Sequence, residues 1–249
     1  MNTPKITFTQ VSKSYALYHH MAGGIKNILL HPATILEFLR NSRFDALRDI
    51  SFDIFPGETF GIIGRNGAGK STTLGLIAGV LKPSQGQILV RGRVSPLLEL
   101  GAGFHPELTG KENILLNGVL LGLTRSEVRQ RMPTIIDFSE LGDFIDQPIR
   151  IYSSGMLARL GFAVIANLNP DILLIDEVLA VGDQRFQKKC LDKIMEFKNS
   201  RVTIVFVSHS MDEILRICDR VAWIEDHTIR MLGGAIEVTG GYTRSLALS

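Results

Sequence analysis

Short apolar runs alternate along the chain with longer segments in which apolar residues recur every three or four positions. The runs predict strands at Ile6–Phe8, Leu47–Ile54, Thr59–Ile63, Gln87–Val90, Ile172–Ile175, Thr203–Val207 and Val221–Glu225. The periodic segments predict helices at Lys70–Val80, Ser126–Phe138, Ser154–Asn167, Gln184–Phe197 and Ser210–Ile217. Two strands, Ile172–Ile175 and Thr203–Val207, are nearly continuous apolar runs, as expected for parallel strands covered on both faces. The alternation predicts an α/β fold with a mixed, mostly parallel core sheet.

Strand patterns are missing from the middle of the chain. From about Gly101 to Arg150 the pattern is helical, which predicts an inserted helical subdomain at about 101–167. The chain otherwise reads as one domain, 1–249, that ends in a short tail at about 226–249. Residues 16–45 are irregular, with apolar clusters on either side of Pro32. They are either a surface helix pair that caps the sheet or a docking element for a membrane partner.

Composition places the chain among ordinary globular proteins. Its 249 residues carry 27 basic and 25 acidic side chains, a net charge of +2, which gives no sign of a nucleic-acid partner. Two cysteines without metal-ligand spacing, Cys190 and Cys218, favour a reducing compartment. No apolar run approaches the ~18 residues of a membrane helix, and we find no signal-peptide pattern. We therefore expect a cytoplasmic protein that does not cross a membrane by itself.

A glycine-rich segment joins the strand Thr59–Ile63 to the helix that starts at Lys70. Its residues Gly64-Arg65-Asn66-Gly67-Ala68-Gly69-Lys70-Ser71 fit the P-loop pattern GxxxxGK[ST]. In this setting backbone N–H groups surround phosphate oxygens, and the helix N-terminus favours negative charge. We expect Lys70 to reach the β- and γ-phosphates and Ser71 to bind Mg²⁺. The alternative is a glycine-rich turn that only starts a helix, and the strand–loop–helix setting argues against it.

Polar residues also follow two further predicted strands. Asp176 and Glu177 come directly after Ile172–Ile175, at the sheet edge where α/β folds place ligand chemistry. We expect Asp176 to hold Mg²⁺ through water and Glu177 to act as general base towards the attacking water. An acidic pair after an apolar strand is common, and the functional interpretation is favoured here because the chain also contains a P-loop. His209 is either a surface residue or a catalytic group near the γ-phosphate, and its place at the same edge favours the second.

The order of these motifs resembles that of the ABC transporter nucleotide-binding domain over nearly the whole chain. Tyr15 matches the aromatic residue that stacks on adenine in that family. Residues Tyr152-Ser153-Ser154-Gly155-Met156 match the signature, which is usually Leu-Ser-Gly-Gly-Gln. Asp183 matches the D-loop aspartate, and His209 matches the switch histidine.

The resemblance implies an ATPase that works as a head-to-tail dimer with ATP and Mg²⁺ at the interface. Each P-loop would face the signature residues Ser153, Ser154 and Gly155 of the second copy. The residues implied to contact ATP are Tyr15, Gly64, Arg65, Asn66, Gly67, Ala68, Gly69, Lys70, Ser71 and Thr72. The implied catalytic residues are Lys70, Glu177 and His209, and the implied metal ligands are Ser71 and Asp176, with Glu99 as a further candidate.

Several departures from the general family pattern point to one subfamily. The signature has Ser154 and Met156, Val178 follows Asp-Glu, and Glu99 stands near the expected glutamine. The segment Leu98–Gly110 resembles polysaccharide and teichoic-acid exporters, as does the insertion after Tyr15. This resemblance implies export of an undecaprenyl-linked O-antigen through a separate transmembrane permease dimer, from the cytoplasmic face of the inner membrane. A C-terminal carbohydrate-binding domain, present in some relatives, is not expected here.

Three alternatives remain open. One is export of capsule or teichoic acid. Another is a soluble ABC protein that acts on DNA or ribosomes, but such proteins generally carry two nucleotide domains or long coiled-coil insertions. The third is a regulator that no longer hydrolyses ATP, which the retained Lys70, Asp176, Glu177 and His209 argue against.

Overall fold

The computed structural model describes residues 3–16, 43–97, 103–176 and 183–247. Its strands are β1 (Ile6–Ala16), β2 (Arg43–Ile54), β3 (Thr59–Ile63), β4 (Gln85–Val90), β5 (Val94–Leu97), β6 (Ile172–Asp176), β7 (Thr203–Val207), β8 (Arg220–Glu225) and β9 (Thr228–Gly234). Its α-helices are α1 (Lys70–Ile77), α2 (Gly110–Leu120), α3 (Arg125–Ser139), α4 (Ser154–Ala166), α5 (Gln184–Asn199), α6 (Met211–Ile217) and α7 (Ala235–Ala247). Two 3₁₀ turns, Gly142–Asp146 and Ile149–Ile151, precede α4.

A mixed sheet forms the centre of the described part of the chain. Its six strands follow the order β5-β6-β7-β3-β8-β9, and only the β8–β9 pair within it is antiparallel. The strands β3 and β7 are buried at every residue, as the continuous apolar runs predict. The predicted α/β class with a mostly parallel core sheet is therefore confirmed.

A second, antiparallel sheet covers one face of the core sheet. Its order is β2-β1-β4. The core between the two sheets includes a row of stacked aromatic rings. The ring centroid of Phe52 lies 4.5 Å from that of Phe8 and 5.2 Å from that of Phe60. This packing fixes β1 and β2 above the P-loop helix, because Leu74 and Ile77 of α1 belong to the same cluster.

The helices α2, α3 and α4 and the 3₁₀ turns lie within residues 101–167, where the sequence pattern predicts a helical subdomain. Capping boxes start two of its helices, through Thr109 with Glu112 and Thr124 with Glu127. The fully buried Asn113 donates its amide to three backbone carbonyls of residues 105–109, which fixes the loop before α2. Phe138, Phe162 and Phe186 join the subdomain to α5 through ring contacts.

The C-terminal segment is more structured than predicted. Residues 226–249 were expected to form a short tail, but β9 extends the core sheet and α7 packs back on it. The ring of Tyr242 on α7 meets Trp223 of β8 edge-on at 5.3 Å. The edge strand β5 is also absent from the predicted strands.

The irregular segment 16–45 falls mostly outside the described residues. Its ends are extended strand, since Ala16 closes β1 and Arg43 opens β2. Residues 17–42 lie outside the described part, so both interpretations of them stay predictions.

Both cysteines are buried, Cys190 in α5 and Cys218 at the end of α6. Burial raises the pKa of each thiol to about 12. Among the helices that the structure describes, none combines the length and the apolar character that crossing a membrane requires.

Candidate nucleotide-binding site

The P-loop lies between the buried strand β3 and the first turn of α1. Gly69 sits at the helix N-terminus with φ 111°, in the region that favours glycine. A methyl group there would lie 2.5 Å from the carbonyl oxygen of Ala46 and 2.6 Å from Leu47 Cδ2. Gly69 therefore allows the loop to pack directly against β2.

The side chain of Lys70 turns back into the loop. Its Nζ donates hydrogen bonds to the carbonyl oxygens of Gly64, at 2.9 Å, and Arg65, at 3.2 Å. Burial lowers the pKa of Lys70, and the nearby carboxylate of Asp176 opposes this effect in part. A cation held beside the loop backbone at the start of a helix is an arrangement that suits a phosphate.

The carboxyl ends of the parallel strands bring the remaining polar groups to the loop. Asp176 is the last residue of β6, and its Oδ2 accepts a hydrogen bond from Ser71 Oγ at 3.1 Å. His209 follows β7, the neighbour of both β6 and β3. Partial burial, with the charge of Lys70, lowers the pKa of His209, while Asp176 acts in the opposite direction.

These groups line one cleft of about 510 Å³. The lining residues are Tyr15, Phe44, Ala46, Asn66, Gly67, Gly69, Lys70, Ser71, Thr72, Asp176 and His209. The structure thus brings together most of the predicted nucleotide-contacting residues. Gly64 and Ala68 are buried in the loop, and Arg65 faces away into a second cleft. Glu177 and Glu99 lie outside the described residues, so their roles stay predictions.

Phe44 and Ala46 line the cleft although the sequence analysis did not select them. Phe44 pairs directly with Tyr15 across β1 and β2. The sequence shows an aromatic residue shortly before the apolar run of β2, but this signal does not reveal that Phe44 lies opposite Tyr15. Tyr15 itself is 36% exposed, with Lys13 Nζ 5.1 Å from the centre of its ring.

The signature residues start α4, on the side of the helical subdomain. Ser153 caps the helix, since its Oγ accepts from the N–H of Met156 at 3.2 Å. The buried Tyr152 donates its hydroxyl to the carbonyl oxygen of Phe144 at 2.5 Å, which ties the signature to the subdomain. Among the described residues that line the nucleotide cleft, none belongs to 153–155.

Asp183 caps α5 and connects that helix to α4. Its Oδ1 accepts from the N–H of Phe186 at 2.9 Å, the main reason that its pKa is lowered. Its Oδ2 lies 2.5 Å from Nη2 of Arg159. Arg159 lies on α4, three residues after Met156, the last residue of the signature. Arg159 also reaches Glu140 at the end of α3. The D-loop position is therefore held by the helix that carries the signature.

The donors beside the P-loop suit a magnesium ion. Ser71 and Asp176 offer a hydroxyl and a carboxylate oxygen, and Mg²⁺ typically takes one or two such groups together with phosphate and water. Within the described ranges no group of three or more His, Cys, Asp or Glu residues forms a separate metal cage. The donor set fits an ion that arrives with a phosphate ligand.

The family model for ABC transporters matches residues 47–180. The chain belongs to this family. The match includes the P-loop, the signature and the strand that ends at Asp176, so the resemblance noted from the motifs is confirmed.

Relatives from two export systems share almost the full length of this ABC family member. The O-antigen export system ATP-binding protein RfbB of Klebsiella pneumoniae is 58% identical over 98% of this chain and 99% of its own. The teichoic acids export ATP-binding protein TagH of Listeria monocytogenes is 47% identical over 96% of this chain and 69% of its own. Among solved structures, a dimeric ATP-binding cassette bound to ADP and Pi is 20% identical, covers 92% of this chain and 98% of its own, and has a TM-score of 0.72. That last likeness concerns the fold.

Proposed function

We propose that this chain is the ATP-hydrolysing subunit of an ABC exporter that moves an undecaprenyl-linked O-antigen polysaccharide across the inner membrane. The observation that carries the proposal is the 58% identity to RfbB over practically the whole length of both chains. The cleft supports the catalytic half of the proposal, because Lys70, Ser71, Asp176 and His209 converge on it.

The described residues suggest how the cleft acts on ATP. The P-loop amides and Lys70 bind the phosphates, and His209 lies at the γ-phosphate end with Asp176. Lys70 exchanges its bonds to the Gly64 and Arg65 carbonyls for phosphate oxygens. Glu177 is proposed as the general base that takes a proton from the attacking water, so that ADP and phosphate are formed.

Magnesium is proposed to accompany the nucleotide. Ser71 and Asp176 would hold it, and Glu99 is a further candidate ligand. The ion supplies charge neutralisation between the phosphates, as is general in P-loop enzymes.

A head-to-tail dimer is proposed as the working unit. Ser153, Ser154 and Gly155 lie apart from the cleft of their own chain, which agrees with a role opposite the P-loop of a second copy. The α4 N-terminus would then present its dipole and the Ser153 hydroxyl to the γ-phosphate. Closure of the dimer on ATP and its reopening after hydrolysis supply the movement that drives export.

The movement is proposed to pass to a transmembrane permease dimer, which handles the lipid-linked polysaccharide at the cytoplasmic face of the membrane. Residues 16–45 and 98–110 are proposed to form or border the permease contact. No nucleic-acid partner is proposed. RfbB is described by its name as part of an export system, which supports the membrane-associated location.

The deciding experiment replaces Lys70 by Ala in the native host. We expect ATP hydrolysis by the purified subunit to fall at least ~100-fold, because one preorganised charge beside the transferred phosphate is lost. Lipid-linked glycan should accumulate in the cell, and the wild-type subunit should copurify with a multi-helix permease from detergent-solubilised membranes. The matched control is Lys193→Ala, a lysine paired with Glu196 that lies outside the cleft lining and outside the proposed permease contact.

A normal surface polysaccharide in the Lys70→Ala strain, or copurification with ribosomes or nucleic acid alone, would overturn the transport assignment. The ATPase assignment would stand if hydrolysis still fell.

Teichoic acid export is the second candidate, favoured by the 47% identity to TagH. The polymer that accumulates in the Lys70→Ala strain separates the two. A chain of sugar repeats supports O-antigen, whereas polyol phosphate units, recognised by their phosphorus content, support teichoic acid.

A further inference from the structure

The base end of the nucleotide cleft contains two aromatic side chains. Tyr15 closes β1 and Phe44 opens β2, and these two residues are direct partners in the antiparallel pair. We propose that Phe44 is a second base-contacting residue, which closes the base end together with Tyr15 and is held in place by His227. The inference rests on the proposed nucleotide function and assigns a specificity-determining residue to it.

The strand register places both rings on one side of the sheet. Partners directly opposite in antiparallel strands point to the same face, with Cβ atoms about 4.5–5.5 Å apart. Both side chains line the nucleotide cleft, and Phe44 is 42% exposed. An apolar ring that remains this accessible beside a polar phosphate loop offers a flat surface for a purine base.

A turn of the core sheet supports Phe44 from behind. His227, in the β8–β9 turn, meets the Phe44 ring edge-on, with centroids 5.3 Å apart and planes at 84°. The His227 ring is itself anchored, because its Nδ1 lies 3.3 Å from the carbonyl oxygen of Ala46. The turn is pinned to β2 by the N–H of Arg48, which donates to the carbonyl oxygen of His227 at 2.7 Å. The ring of Phe44 is thus positioned before any base arrives.

Phe44 also separates two cavities. A second cleft of about 560 Å³ lies behind it, between the P-loop, the β8–β9 turn and the end of α7. Both clefts are lined by Phe44, Asn66 and Gly67. Removal of the Phe44 ring would open the base end into the second cleft. The base would lose one of its contacts, whereas the contacts of the phosphates would stay unchanged.

The test compares a ligand that has a base with one that has none. Binding of ATP and of inorganic tripolyphosphate is measured by calorimetry for wild type, Phe44→Ala and Tyr15→Ala. We expect Phe44→Ala to weaken ATP binding about five- to ten-fold, the effect of one aromatic contact, and to leave tripolyphosphate within about two-fold. Phe44→Leu should give an intermediate loss, since it keeps the apolar wall without the flat ring.

The matched control is Phe55→Ala. Phe55 is 38% exposed, close to the value for Phe44, and lines neither cleft. This change should leave the affinities for ATP and for tripolyphosphate unchanged. His227→Ala should reproduce part of the Phe44→Ala loss for ATP alone.

Two results would overturn the inference. One is ATP binding by Phe44→Ala within two-fold of wild type, and the other is an equal loss for ATP and tripolyphosphate. If Tyr15→Ala weakens ATP binding and Phe44→Ala does not, the proposed function stands and the role of Phe44 fails. A wild-type protein that binds tripolyphosphate but shows no preference for ATP would contradict both.

Discussion

The two ends of the nucleotide cleft are built in opposite ways. The phosphate end comes from one continuous loop and from residues that directly follow buried parallel strands. The proposed base end comes from Tyr15 and Phe44, which belong to different strands of the outer sheet and are separated by residues 16–43 in the sequence. Local backbone geometry determines the positions of the residues at the phosphate end, whereas strand register determines the positions of those at the base end.

This difference has an energetic side. At the phosphate end several loop residues are glycines, and the backbone approaches its neighbours closely, as Gly69 does at the carbonyl oxygen of Ala46. At the proposed base end two large rings remain partly exposed, and the turn that contains His227 positions the ring of Phe44. We therefore expect the phosphate end to tolerate little change and the base end to respond in graded steps.

The largest effect should come from Gly69→Ala compared with Gly67→Ala. Both residues have positive φ, 111° and 79°. A Cβ at Gly69 would also meet the Ala46 carbonyl oxygen, whereas nothing lies within 4 Å of a Cβ at Gly67. We expect Gly69→Ala to lower the free energy of unfolding by about 3 kcal/mol and Gly67→Ala by about 1 kcal/mol. Urea denaturation measures both, and equal losses would show that the close contact with β2 is unimportant.

A moderate effect is expected at His209 when nucleotide binds. Burial and the charge of Lys70 hold the pKa of His209 below its ordinary value. The γ-phosphate adds negative charge and neutralises Lys70, so the pKa of His209 should rise in the complex. ATP binding then takes up protons at pH values between the free and bound pKa of His209. NMR titration of the His209 ring, with and without ATP, measures the shift.

A fall of the His209 pKa on ATP binding would place the γ-phosphate elsewhere.

The smallest effect should come from Arg48→Ala at the base end. The Arg48 guanidinium donates to the carbonyl oxygen of Asp226 at 2.8 Å and helps to hold the β8–β9 turn against β2. Its loss should lower the free energy of unfolding by about 1 kcal/mol or less and weaken ATP binding about two-fold. Arg91→Ala is the matched change, since Arg91 also donates to a backbone carbonyl, that of Pro4, but away from the cleft. An equal loss of ATP affinity in both variants would show that the β8–β9 turn has no specific role in base binding.

The phosphate end could be predicted from the sequence because its determinants are contiguous. The P-loop, Asp176 and His209 each follow an apolar run whose type is clear, and parallel strands bring such ends to one edge. Phe44 could not be predicted in this way. The register that pairs Ile6 with Ile54 and Phe8 with Phe52 would, if continued evenly, place Asp45 opposite Tyr15.

Irregularities between Phe8 and Ser14 shift the pairing, so that Phe44 takes that position instead. A shift of one residue moves a side chain to the other face of a strand, and no local pattern announces it.

The fold shows a similar division. The strands β3 and β7 have the predicted bounds, because continuous apolar runs mark buried parallel strands. The missed strand β5 is short and contains Pro96, which is tolerated at this edge of the sheet. The missed helix α7 contains Gly240 and Gly241, which lower helix propensity. Gly241 lies close to Met231 and Trp223, so packing against β8 and β9 stabilises α7 where local preference does not.

The burial of the two cysteines has a practical consequence. With pKa values of about 12, Cys190 and Cys218 hold almost no thiolate at neutral pH, and the thiolate is the form that reacts with maleimides and methanethiosulfonates. The two native cysteines should therefore react little with thiol reagents, so that a single introduced cysteine can be labelled selectively. Spin labels, fluorophores or cross-linkers can be attached at chosen positions on either side of the cleft without first replacing either native thiol.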